Sequence, residues 1–376
     1  MEKFSLSDIK KKNRSDIYHF IYTNPGSSRQ SIANALNMSL PTVTQHLTSL
    51  SEEGFIEKAG QLSSNIGRKA TAYSAVMNAR IAIGVEILGD MAFLVAIDLS
   101  GHKIAKEKIP LQFSTGDDYF ETLSINIYSI LKKQNIPADQ LLGIGLGIQG
   151  LVSSDGRTVI YGRILDCTGL TIDAFQRFFQ APCRFIHDAE CAAISELWDN
   201  PALENAIYLS LGDHLGGAVI LEGKLQRGIS GKSGTFEHMI LVPDGKPCYC
   251  GKRGCAECYC SASALLEGTI DFQKLDSFFE QKSAGNSECI NRWHTYLHDL
   301  AVLINNLHMV IENTIILGGH ITPYFEDQDV DFLRREVFSL STFGDPADYI
   351  LPGKCRVDAV SRGSALPFVQ EFLQTL

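Results

Sequence analysis

Two stretches of the chain, IAIGVEILGDMAFLVAIDLSGHKI from Ile81 and NAIYLSLGDHLGGAVILEGKLQRG from Asn205, have one layout: an apolar run, a Gly-containing break, a second apolar run and a turn. Apolar runs bounded by glycine read as strands, so each stretch predicts a β-hairpin, the first extended by a third strand after Ser100-Gly101. Residues 117 to 133 then show helical periodicity, and LLGIGLGIQGLV reads as a buried strand ending in Gly147 to Gly150. CRFIHDAECAAISELW adds strand, loop and helix, with Asp188 at the junction. A hairpin-plus-helix unit that occurs twice predicts two related α/β lobes facing each other across a cleft, and open α/β sheets bind ligands near such switch points. The chain has 376 residues, which at about 150 per domain leaves room for two or three domains.

The residues before the first hairpin differ in kind. Residues 1 to 80 hold ten Lys/Arg against six Asp/Glu, a net of +4, and the rest of the chain a net of −14. A mildly basic head on an acidic body suggests that only the head approaches a polyanion. Ile17, Phe20 and Ile21 fall at helical spacing, and Asn24-Pro25-Gly26 ends that segment. Ser28 can cap a second helix with an Ile32, Ala35, Leu36 stripe; Ser39 can cap a third, with Pro41 in its first turn and Val43, Leu47 and Leu50 on one face. The opposite face carries Thr42, Thr44, Gln45, His46 and Ser49, short hydrogen-bonding side chains suited to base edges and phosphates. Phe55 to Ala59 and Thr71 to Val76 read as strands joined by a loop containing Gly67-Arg68-Lys69, a wing whose two cations can reach phosphates or a narrow minor groove. The pattern predicts a winged helix-turn-helix over residues 1–80, with Pro41, Thr42, Thr44, Gln45, His46, Arg68 and Lys69 facing DNA. A three-helix docking module would share the apolar pattern, but its outer face more often mixes Glu and Lys.

In the second lobe, His238, Cys248, Cys250 and Cys255 fall within eighteen residues, in HMILVPDGKPCYCGKRGC. One imidazole and three thiolates are the soft, tetrahedral ligand set of structural zinc, with no position left for a catalytic water. Gly251 and Gly254 permit the positive-φ backbone that turns such close ligands toward one ion. Ordinary reduced cysteines are the alternative; the added Cys255 and His238 favour metal over them. Cys258 and Cys260 just beyond either replace His238 in a Cys-only site or pack as small hydrophobes. The ten cysteines are clustered rather than spread as a framework, the start MEKFSLSDIKKKNRSD does not read as a signal peptide, and no run of about eighteen apolar residues occurs. A soluble protein of the reducing cytoplasm is expected.

With these features in hand, the body resembles the ROK family (repressors, open reading frames, kinases) within the actin-like ATPase fold, and a winged head fused in front is the arrangement of its sugar-metabolism repressors. The resemblance rests on His238 with CYCGKRGCAE, on Asp188 before a helix, on ILGG at 316 to 319 and on RGSAL near the end, and covers essentially the whole chain. It implies a first lobe over 81–186 completed by a C-terminal helix at 363–376, and a second lobe over 187–362 carrying the zinc loop. It also implies a hexose-type ligand, and homodimers or tetramers on palindromic operators. Asp188 matches the family's catalytic base and Glu257 matches a sugar ligand, while His187 stands in place of an Asn and Thr235 in place of a Glu, with Glu237 displaced by two. The implied sugar set is therefore His187, Asp188, Thr235, His238 and Glu257, with His238 using its second ring nitrogen for a hydroxyl.

Where the family's kinases have D-x-G-G-T to hold ATP phosphates, this chain has Glu86-Ile87-Leu88-Gly89-Asp90. Leu88 adds bulk and Asp90 adds like charge where glycine N–H groups would cradle phosphate, which argues against a kinase. The expected function is a DNA-binding repressor sensing a sugar or sugar derivative. The rivals are a sugar kinase with an accessory DNA-binding head and a zinc- or redox-responsive regulator.

Overall fold

The computed structural model describes residues 5–62, 70–268, 272–344, 346–355 and 358–376. The head begins with α1 (Leu6–Thr23), started by a Ser5/Asp8 capping box. β1 (Ser27–Ser28) leads into α2 (Arg29–Leu36), where Ser28 and Ser31 form a second capping box. Asn37 in the left-handed conformation ends α2, and Ser39 caps α3 (Leu40–Glu52) with Pro41 in its first turn. The buried stripe of α2 is Ile32 and Ala33, with Leu36 half-buried; Ala35, expected in it, is exposed, because an eight-residue helix meets its neighbours on a narrow arc. β2 (Ile56–Leu62) and β3 (Ala70–Ala75) form the wing, longer at its tip than expected, and β3 also pairs with β1 in the order β1-β3-β2. Arg68 and Lys69 lie outside the described residues.

The first lobe contains β4 (Ile81–Ile87), β5 (Met91–Asp98), β6 (Lys103–Pro110), α4 (Asp117–Lys133) and β7 (Leu141–Ile148). An excursion of β8 (Leu151–Val152), β9 (Val159–Tyr161) and α5 (Asp173–Gln176) precedes β10 (Cys183–His187) and α6 (Asp188–Asp199). The second lobe contains β11 (Ala206–Leu211), β12 (Leu215–Leu221), β13 (Lys224–Leu225), α7 (Glu257–Cys260), α8 (Ala262–Leu266), α9 (Phe272–Ser283), α10 (Ser287–Val310), β14 (Thr314–Gly318), α11 (Asp327–Leu340) and β15 (Ile350–Pro352), after which α12 (Ala359–Thr375) returns to the first lobe and packs on β4 and β7.

The sheets carry the repeat. One runs β10-β7-β4-β5-β6 and the other β15-β14-β11-β12-β13, so each hairpin-led unit places its five strands in the order 5-4-1-2-3. In both, strands one to three are antiparallel and strands one and four parallel. The fold is a two-lobed actin-like α/β body behind a winged helix-turn-helix.

Equivalent final helices of the two units, α6 and α12, pack against each other and join the lobes. Gly363 makes their approach possible: a Cβ there would collide with the Cys191 carbonyl. α12 begins at Ala359, four residues before the expected start, and its buried residues Ser361 and Ser364 lie against the backbone of β4 and β7 at Gly84 and Gly145. One apolar core continues from the head (Ile17, Tyr18, Leu50, Phe55) into β5 (Val95, Ile97) and α12 (Val369, Leu373). Phe55 and Phe372 stand 5.6 Å apart, and the Tyr22 hydroxyl donates to the Leu99 carbonyl at 2.9 Å. Burying that surface on both sides fixes the head on the body.

Candidate functional site

Between the lobes lies a cavity of about 470 Å³. His187 and Asp188 enter it from the β10–α6 junction, Gln149 from the end of β7, His214 from the β11–β12 turn, and Thr235, Glu237 and His238 from a short 3₁₀ turn at Phe236–His238. Strand ends converge here because the repeated unit aims the carboxyl ends of its central strands at the cleft. The Asp188 carboxylate accepts from the Ala189 N–H at 2.9 Å and lies 3.2 Å from His187 Nε2. At the first turn of α6 its charge meets the positive end of the helix dipole.

Four of the five expected sugar residues, His187, Asp188, Thr235 and His238, line the cavity; Glu257 does not. Both Glu257 oxygens are held, one by His214 Nδ1 at 2.6 Å and the other by the Leu215 N–H at 2.8 Å, so Glu257 stands behind His214 and orients it. Burial alone would lower the His214 imidazole, but the Glu257 hydrogen bond and charge outweigh it and raise it. The Thr235 hydroxyl donates to the Lys232 carbonyl at 2.9 Å, which leaves its oxygen to accept. Sequence reasoning set Glu237 aside as displaced and did not find His214. Glu237 is 7 % exposed, its Oε2 has no partner among the described residues, and burial, with Asp188 and Glu257 nearby, pushes it up to about 8. His214 could have been suspected only from its place in the Gly-rich break of the second hairpin.

One ring edge of His238 faces the cysteines, with Nδ1 3.9 Å from Cys248 Sγ, and the other faces the cavity, with Nε2 3.9 Å from Glu237 Oε1. Burial holds this imidazole below its ordinary value, in the neutral form a metal requires. The donor atoms of His238, Cys248, Cys250 and Cys255 all lie within 4.8 Å of one another, so the cluster can hold a metal ion. Sulfurs on a tetrahedral ion with bonds of about 2.3 Å stand about 3.8 Å apart, and Cys250 and Cys255 Sγ are 3.7 Å apart. Gly251 and Gly254 take φ of 85° and 77°, as their place between the thiols requires. Cys260 is fully buried in the second-lobe core, whereas Cys258 is half-exposed with its thiol 3.4 Å from the Pro247 carbonyl.

A second cavity of about 280 Å³ adjoins the first through Gln149, Asp188 and His214. Glu86 of β4 lines it and lies 3.4 Å from His320 Nε2 in the loop after β14, an ion pair across the cleft. Burial would lower His320; the Glu86 hydrogen bond and charge raise it. This pair and Asp213 and Asp358 line a space unfavourable to a polyphosphate.

On α3, the Gln45 side chain is exposed and makes no hydrogen bond among the described residues. The Thr42 hydroxyl pairs with Ser39, and Thr44 donates to the Leu40 carbonyl and accepts from Arg29 at 3.3 Å. His46 is partly buried, and burial, with Arg14 and Lys10 nearby, lowers it. Ser49 is engaged by Arg14 and Glu53, not free on the outer face. Arg29 and Arg14, counted in the sequence only as charge, are cations the structure places beside α3, Arg29 at Thr44 and Arg14 at Ser49 and Glu53.

No helix among the described residues is long and apolar enough to cross a membrane. The ROK family profile matches residues 82–341, and a winged helix-turn-helix DNA-binding profile matches residues 11–57. The chain is 25 % identical to the xylose repressor of Bacillus subtilis over 98 % of its own length and 97 % of that protein's. In structure it is similar to a ROK family transcriptional regulator, a homologue of the E. coli MLC protein, with a TM-score of 0.74, 17 % identity and 98 % of each chain covered. It is also similar to a ROK family glucokinase from Streptomyces griseus, with a TM-score of 0.66, 20 % identity, and coverage of 76 % of this chain and 98 % of that one.

Proposed function

From the premise that the chain belongs to the ROK family, we propose that it is a sequence-specific DNA-binding transcriptional regulator, a repressor of carbohydrate metabolism whose cleft senses a sugar or sugar derivative. The observation that carries this reading is the continuous core between head and α12, because α12 also packs on α6, whose first residue is Asp188 in the cavity. A ligand that favours one arrangement of the lobes changes how α6 meets α12, and so biases the position of the head.

In this reading His187, Asp188, Thr235 and His238 contact the effector, Glu257 acts through His214, and Glu237 joins them. His238, Cys248, Cys250 and Cys255 hold a structural zinc, which orders the loop that carries Tyr249 to the cavity wall and fixes His238 there. Pro41, Thr42, Thr44, Gln45 and His46 of α3, with Arg68 and Lys69 of the wing, meet a palindromic operator as part of a cytoplasmic homodimer or tetramer. The name of the B. subtilis relative, a repressor that matches almost end to end, supports the assignment. The kinase reading is not favoured, because Glu86 and His320 occupy the cleft where a phosphate cradle would be needed.

Footprinting on the DNA upstream of the protein's own gene tests the proposal. Protection of a two-fold symmetric site, weakened by salt and altered by a sugar, is expected; uniform or absent protection would end it.

A further inference from the structure

Two cations line the 470 Å³ cavity from opposite lobes: Arg163, in the loop after β9, and Lys232, in the loop after β13. Both are exposed, and neither has an ion-pair or hydrogen-bond partner for its charged group among the described residues. In the same cavity Glu237 is buried with Oε2 unpartnered among the described residues, and Asp188 and His214 also line it. The cavity therefore has a floor of groups that exchange hydrogen bonds with hydroxyls and an opening that carries unpaired positive charge. Like charges on facing lobes oppose closure, and desolvating them without a counter-ion is costly. A neutral sugar satisfies the floor and leaves that opposition in place.

We propose that the effector is a sugar bearing one anionic group, a phosphate ester or a carboxylate, with its hydroxyls at Asp188 and His214 and its anion between Arg163 and Lys232. This rests on the sugar-sensor reading above and narrows it. The anion bridges the two lobes, so its charge, beyond filling the cavity, drives closure. Charge-assisted contacts from a guanidinium and an ammonium are the strong class of hydrogen bond, and the guanidinium can grip two oxygens at once.

The test is calorimetric titration of the full-length, zinc-loaded protein with glucose, mannose, xylose and N-acetylglucosamine, each beside its phosphate ester, and with glucuronate and inorganic phosphate. At least one ester or acid is expected to bind about tenfold or more tightly than its neutral parent. In the Arg163→Ala, Lys232→Ala double variant that gap closes while affinity for the parent is kept; both side chains are exposed, and an unchanged melting temperature confirms the fold. A phosphate ester or glucuronate as the winner identifies which anion the mouth takes. A neutral sugar binding as tightly as its charged form overturns the inference and leaves the sensor reading standing. Inorganic phosphate binding as tightly as any ester overturns it too, by showing an anion site without sugar selection. Failure of every sugar, on protein that still binds DNA, removes the sugar-sensor reading along with it.

Discussion

His238 is shared between two environments, one ring nitrogen toward the thiols and the other toward the cavity, so on the proposed function a metal and an effector would be coupled through one residue. Cys250→Ser is expected to lower bound zinc from about one ion per chain to well below that and to melt the body at lower temperature, since the loop's order depends on its ion. Elemental analysis with a thermal melt checks both; full zinc content in the variant contradicts the assigned ligands. Glu257→Gln keeps the shape behind His214 but removes the charge that orients it, and should weaken effector binding about tenfold while zinc content stays unchanged. The cluster of His238, Cys248, Cys250 and Cys255 was legible because all four lie within eighteen residues with glycines between the thiols. The Glu257–His214 pair was not, because its partners are 43 residues apart and meet only when α7 packs beneath the β11–β12 turn. The burial of Glu237 could not be read from its spacing, because it is set by a 3₁₀ turn that leaves Thr235 half-buried and Glu237 buried, both lining the cavity.

Among the elements, α12 does the most. It closes the first sheet, crosses α6 at Gly363 and ends in the head's core at Phe372 and Leu373. Gly363→Ala should destabilise by about 1–3 kcal/mol, as overpacking does, read from urea unfolding; a neutral result would mean the helices can separate without cost. Across the cleft, the Glu86–His320 pair joins β4 to the loop after β14. Its imidazole is raised in the fold, so its contribution is full below the ordinary His value of about 6.5 and fades as pH rises through the raised one. The stability difference between the wild type and Glu86→Gln should therefore shrink from pH 6 toward pH 9. A difference that grows over that range would contradict the pairing. The head's helices could be read from Ser28, Ser39 and Asn37, whose caps act within a few residues, and the twin hairpins from their apolar runs. The start of α12 could not, because Asp358 enters it in a left-handed conformation that sequence leaves unmarked.

At the scale of the whole molecule, a basic head sits on an acidic body, and the two share one core. On the proposed function the head alone would face DNA, since the body's net charge of −14 disfavours its approach to a polyanion. On the recognition surface, Gln45→Ala should erode discrimination between operator and random DNA, whereas Arg29→Ala should weaken binding to every sequence alike and reduce the salt slope by about one. Effector-controlled binding to an operator can be read in one titration. The full-length protein is added to labelled DNA from upstream of its own gene, at several salt concentrations and against competitor DNA, with and without the sugar panel. A site bound at least about a thousandfold more tightly than competitor, steeply weakened by salt and shifted by one of the sugars, is expected. Equal affinity for every DNA, or binding that no sugar changes, would contradict it.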